Sequence, residues 1–230
     1  TQSGVGKTTL SLAIMAALTK RNLLVQPFKV GPDYIDPSFH YHAVGRHSCN
    51  LDAWLVPEKK LQTLFSRRAL PAISPDSPHT PHCNGEASHA SPSIINIIEG
   101  VMGLYDGQGS GAWASTAHVA SLLQAPVLLT VNARGMSLSA AALVSGYAGF
   151  AGQYGNKKEE RTDLSSLRIA GVEPNQVSGA RHYRLLSQCI AEHTGISCLG
   201  HIGRGATSGL PERHLGLVQA GAVNGLDPCL

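Results

Sequence analysis

"SGVGKTT", residues 3 to 9, decides how the rest of the chain is read. Gly4-Val5-Gly6-Lys7-Thr8 matches the second half of the phosphate-cradling loop pattern. Glycines let backbone N–H groups turn toward an anion with no side chain in the way. A helix that starts at the loop favours negative charge at its N-terminus. Lys7 suits the β- and γ-phosphates of a nucleotide, and the Thr8 hydroxyl suits Mg²⁺. Gly4, Gly6, Lys7, Thr8 and Thr9 are therefore the candidate nucleotide-binding residues. Thr1 stands where the pattern has its first glycine. The chain begins inside the motif, without methionine, so it reads as a fragment whose first strand is missing.

Working outward, Leu10, Ala13, Ile14, Ala17 and Leu18 recur at helical spacing, which predicts a helix from Lys7 to about Lys20. "LLVQPFKV" (23–30), "SIINIIEG" (93–100), "APVLLTVNA" (125–133) and "LRIAGVEPN" (167–175) read as strands, with "ISCLGHI" (196–202) as a last one. Residues 57–68, 137–148 and 181–193 read as helices, the last with Leu185, Leu186, Cys189 and Ile190 on one face. Strands alternating with helices predict an α/β fold: a three-layer, mostly parallel sheet of the P-loop NTPase type with helices on both faces. The Pro-, Ser- and His-rich stretch 71–93 and the polar stretch 155–166 read as surface insertions. The spacing of His79, His82, Cys83 and His89 fits no compact zinc pattern.

Composition narrows the function. The chain has 230 residues, 43% hydrophobic and 14% charged, which suits a packed globule. A net charge of +3 is too mild to call for nucleic acid and suits a small anionic substrate. No apolar run approaches a membrane span, and no signal peptide is visible. Five scattered cysteines without a C-x-x-C fit reduced thiols in a cytoplasmic protein.

A second charged stretch follows the first strand. "FKVGPDYID" (28–36) sets Lys29, Asp33 and Asp36 around a Gly-Pro turn. Turn chemistry alone accounts for an aspartate after Gly-Pro. Beside a phosphate loop, the same residues suit metal coordination, substrate positioning and proton transfer. Glu99 closes a strand, where an acid serves Mg²⁺ in a nucleotide enzyme, so Thr8, Asp33 and Glu99 are the candidate metal ligands. Arg46, His40 and Arg134 suit contacts to carboxylates of a polyanionic substrate, while each alone also reads as an ordinary surface or loop residue.

"FKVGPDYIDPSFH", "GRHSCNLDAW", "EGVMGLYDG", "PVLLTVNARGMSLSAAALV", "GARHY" and "LPERHLGL", taken with the phosphate loop, resemble the ATP-binding domain of the cobyrinic acid a,c-diamide synthase family. The resemblance covers 1–218 apart from the two insertions. It implies ATP- and Mg²⁺-dependent amidation of two carboxylates of a corrinoid polycarboxylate through an acyl phosphate. It also implies a glutaminase domain, normally in the same polypeptide, that is expected to be absent here, with 219–230 a linker or tail. Lys29 would neutralise the transferring phosphoryl group, and the acids matching Asp33, Asp36, Glu99 and Asp106 are functional. The positions matching Tyr34 and Ile35 lie near the substrate together with Arg46, and Asn175 matches a reader of the adenine ring. Glu173 and Pro174 stand where the family has aliphatic residues, so the strand is expected to end early or the pocket to be distorted. A homodimer is compatible with the resemblance. The alternatives are a ParA/MinD-like switch ATPase, against which Gln2 stands where a signature lysine belongs, and an inactive remnant.

Overall fold

The structure, a computed structural model, describes residues 1–69, 94–154 and 162–205. The His-rich stretch 71–93, "LPERHLGL" and the tail 219–230 lie outside the described residues. The elements run α1 (Lys7–Lys20), β1 (Leu24–Val30), α2 (Asp36–Val44), β2 (Cys49–Leu51), α3 (Glu58–Ala69), β3 (Ile94–Glu99), α4 (Thr116–Leu122), β4 (Pro126–Asn132), α5 (Leu138–Tyr154), β5 (Arg168–Asn175) and α6 (Ala180–Thr194). The α/β class and the parallel pairing are as the sequence predicts. The strands form two separately paired sheets, each within its own compact unit. Among the described residues, no helix is long and apolar enough to cross a membrane.

One unit spans Leu10–Glu99 and holds β1 between β2 and β3, all parallel. Central β1 is covered on both faces, so its apolar run does not alternate. Val25, Phe28 and Val30 are buried, and Phe28 packs on Phe65 of α3 with ring centroids 5.0 Å apart. Helix α1 lies where predicted but buries Leu12, Met15 and Ala16, leaving Ala13 and Ala17 exposed. It is apolar on nearly every side, so spacing alone does not choose its inner face. It stops at Asn22, which takes φ 59°, a conformation asparagine tolerates at helix ends.

The other unit holds Thr1–Thr9 and the segment from Gly100 on. Here β4 and β5 pair from Pro126↔Arg168 to Asn132↔Asn175. Leu129, Val131 and Val172 pack with Ala140, Ala141 and Val144 of α5 and with Leu186 and Ile190 of α6. On α6, Leu185 is exposed and lies off the buried face.

Strand β5 does not end early: Glu173 and Pro174 keep register with Thr130 and Val131. The cost appears on the other side. Val172 N donates to Ser197 O and Ile202 N donates to Pro174 O, so Pro174's missing donor faces 196–202. The strand expected there is reduced to the bridges Val172↔Cys198 and Val177↔Gly203.

Glu173 is buried and neither carboxylate oxygen has a hydrogen-bond partner. Burial pushes its carboxyl up to about 7, and the Ile202 N–H, already given to Pro174, offsets little of this. The unfolded chain ionises the group near 4.5, so only the folded state holds the proton from there to about 7. Stability is therefore whole below this window, falls as pH rises through it and settles about 3 kcal/mol lower above it. Glu173→Leu is expected to flatten that slope. In urea unfolding it gains up to about 3 kcal/mol near pH 8 and much less near pH 4.

Candidate functional site

In the Leu10–Glu99 unit, parallel pairing puts Lys29 directly beside Glu99 on β3 and Asn50 on β2. Lys29 Nζ lies 2.6 Å from Asp36 Oδ2 and 3.0 Å from Glu99 Oε1, with Asp33 Oδ2 at 4.0 Å. Lys29, Asp36 and Glu99 are buried to 3% exposure or less. A buried amine and buried carboxylates each carry a desolvation cost, which their mutual contacts here offset. Asp36 gains further from the first turn of α2, where helix N-termini favour negative charge.

The two explanations for Asp33 each take one oxygen. Oδ1 accepts the backbone N–H groups of Ile35 at 2.8 Å and Asp36 at 3.2 Å, closing the turn into α2. Oδ2 is the oxygen turned toward Lys29. Asn50 Nδ2 donates to the Asp33 carbonyl at 2.6 Å, tying the loop after β1 to β2. Tyr34 projects outward, 60% exposed, while Ile35 is buried.

His40 was missed as a member of this cluster. It is fully buried, its Nε2 2.7 Å from Glu99 Oε2 and its Nδ1 3.0 Å from Ser48 Oγ. An imidazole in that position holds Glu99 in place and cannot meet the outer carboxylates of a large ligand. The signal for it was the helical spacing of Asp36 and His40, which puts both on one face of α2. Arg46 is half-buried, its Nε donating to Gln26 Oε1 at 3.2 Å, and Arg134 is exposed in the other unit.

That other unit carries the phosphate loop. Gly4 and Gly6 take φ 71° and 98°, which the glycines allow. Lys7 Nζ donates back to Gln2 O at 2.6 Å, so the lysine lies along the loop. Thr8 and Thr9 start α1 and are half-buried. Asn175 lies under the loop: its Nδ2 donates to Val5 O at 2.7 Å and its Oδ1 accepts Gln176 N at 2.7 Å. A Cβ on Gly6 would overlap Asn175 Nδ2. The structure thus gives Asn175 a supporting contact with the loop backbone.

Asp106 is exposed, and its Oδ2 accepts Gly103 N at 2.8 Å. Gly103 packs against the Thr1 carbonyl, which also accepts the Tyr147 hydroxyl at 2.6 Å, so Asp106 stands beside the start of the loop. Among the described residues, no three His, Cys, Asp or Glu side chains gather as a metal site. The loop and the Lys29 cluster belong to different units.

Residues 1–218 match the family described as the CobQ/CobB/MinD/ParA nucleotide binding domain. The cobyrinate a,c-diamide synthase of Thermoplasma volcanium is 40% identical over 225 residues, which cover 97% of this chain and 42% of that protein. The enzyme of the same name from Caldanaerobacter subterraneus is 39% identical over 227 residues, 99% of this chain and 42% of its own. The hydrogenobyrinate a,c-diamide synthase of Mycobacterium bovis is 41% identical over 223 residues, 95% of this chain and 41% of its own. The chain therefore spans about two fifths of the length of these curated relatives. With a phosphate loop closed on Asn175 and a family match over nearly all of its length, the chain belongs to the CobQ/CobB/MinD/ParA nucleotide-binding domain family.

Proposed function

We propose that this chain is the ATP-binding part of a ligase that amidates the a and c carboxylates of cobyrinic or hydrogenobyrinic acid. Its nitrogen would come from glutamine hydrolysed by a glutaminase domain. The observation that carries the reading is Lys29, sealed among Asp36, Glu99 and Asp33 at the ends of parallel strands. The names of relatives about 40% identical over nearly the whole chain support the substrate class.

A carboxylate is a poor electrophile. Its oxygen attacks the γ-phosphorus, ADP leaves, and an acyl phosphate forms. Ammonia then adds to the acyl carbon, phosphate departs, and the nitrogen loses a proton. In this reading the N–H groups of the Gly4–Thr8 loop and Lys7 hold the triphosphate. Lys29 offsets charge on the phosphoryl group in flight. Asp36 and Glu99 fix the lysine, and His40 fixes Glu99. Asp33 and Asp106 are the more accessible acids, suited to substrate positioning or proton removal. Thr8 and Asp33 each carry hard oxygen donors of the kind Mg²⁺ takes, while both Glu99 oxygens are already engaged by Lys29 and His40.

The test supplies ammonia, so that it does not depend on glutamine hydrolysis. ADP and diamide are measured with ATP and Mg²⁺, with and without cobyrinic acid. ADP formation that needs the corrinoid and matches amide formed is expected. ADP release that ignores the corrinoid overturns the ligase reading in favour of a nucleotide switch.

A further inference from the structure

Two neighbouring strands of the Leu10–Glu99 unit end in the same device. After β1, Asp33 Oδ1 accepts the N–H groups two and three residues on, at 2.8 and 3.2 Å. After β2, Asp52 Oδ1 does the same for Trp54 and Leu55, again at 2.8 and 3.2 Å. Asp52 is itself buried, and its carbonyl accepts Val56 N at 3.0 Å, so the second turn is pinned at both ends. The two turns are tied together by Asn50 Nδ2 on the Asp33 carbonyl and by Gly31 N on the Leu51 carbonyl.

These fixed turns hold large apolar side chains out in solvent. Trp54 is 59% exposed, Leu55 71% and Tyr34 60%. A Trp-Leu pair this exposed on a braced turn is the kind of apolar surface at which ligands bind. It lies at the C-terminal ends of parallel strands, where α/β proteins take ligands. The Lys29 carboxylate cluster stands at the ends of the same strands.

We propose that Trp54, with Leu55 beside it, is a substrate-contacting wall that stacks on the flat conjugated face of the macrocycle. Asn50 is a positioning residue that sets this wall against the turn carrying Tyr34. The proposal rests on the corrinoid reading given under Proposed function. A large ring with carboxylate arms needs both features: an apolar plane for the ring and a charged centre for the arm that reacts. Aromatic side chains favour offset stacking on such planes, at a gain beyond that of area alone.

Cobyrinic acid is titrated into the wild-type chain and into Trp54→Ala, Trp54→Phe and Asn50→Ala, following tryptophan fluorescence and the corrinoid absorption band. Trp54→Ala is expected to weaken corrinoid binding about tenfold and Trp54→Phe about threefold, with ATP binding unchanged. Quenching of wild-type fluorescence by the corrinoid is expected to disappear largely in Trp54→Phe. Asn50→Ala is expected to raise the corrinoid KM with little change in kcat. Wild-type binding that Trp54→Ala leaves intact overturns this proposal and spares the ligase reading. No corrinoid binding by the wild type overturns both. A wild-type dimer that Trp54→Ala dissociates, with corrinoid binding unchanged, assigns the patch to a second copy and overturns the proposal.

Discussion

Lys29→Met is expected to cut corrinoid-dependent ADP formation at least about a hundredfold while moving the KM for ATP by less than about threefold. The asymmetry follows from where the lysine lies. It belongs to the acid cluster after β1, while the phosphate loop has its own Lys7. Removing a charge that acts on the transferring group lowers turnover and spares nucleotide binding. The same change strips the cation from between two buried carboxylates 2.6 and 3.0 Å away. Breaking a buried pair from one side costs about 3–5 kcal/mol, so urea unfolding should show a loss of that order. The double variant Lys29→Met/Glu99→Gln separates the two effects. It is expected to recover part of the stability and none of the turnover. A Lys29→Met chain with wild-type turnover removes the lysine from the chemistry.

Gly6→Ala is expected to weaken ATP binding about a hundredfold, still within reach of titration. Two costs coincide. An alanine at φ 98° is strained by roughly 1–2 kcal/mol. Its Cβ also overlaps Asn175 Nδ2, which holds the Val5 carbonyl. The loop must move, and its N–H groups then miss the phosphates. Asn175→Ala removes the obstacle, so Gly6→Ala/Asn175→Ala should bind ATP more tightly than Gly6→Ala alone. A coupling of about 1 kcal/mol or more in isothermal titration is the expected reading. Strict additivity contradicts the role given to Asn175 under the loop.

Much of this was legible in the sequence. Strands β1, β3, β4 and β5 are apolar runs with abrupt ends, and α6 shows a clear stripe at Leu186 and Ile190. The phosphate loop announces itself because its chemistry demands glycines at fixed positions. Helix α2 is hard to see in the sequence because Asp36-Pro37 suits a chemical turn and a helix start alike, with proline in the first turn. Strand β2 has three residues, too few to show a period. Helix α4 is capped by Ser115, whose side chain accepts His118 N at 3.1 Å, but its seven residues are too few to show a clear period. Proline in β5 suggested an early end because the sequence does not say which side its missing donor faces. Spacing could place Lys29 and Glu99 at strand ends. Only the β1–β3 register could put them in contact and bring His40 to the far oxygen.

In the proposed ligase reaction the macrocycle's own carboxylate is phosphorylated before it meets ammonia. Cobyrinic acid labelled with oxygen-18 in its carboxylates tests this when turned over with ATP, Mg²⁺ and ammonia. One labelled oxygen is expected in each inorganic phosphate released, matched one to one with amide formed. Phosphate that carries no label, released at the same rate, contradicts it.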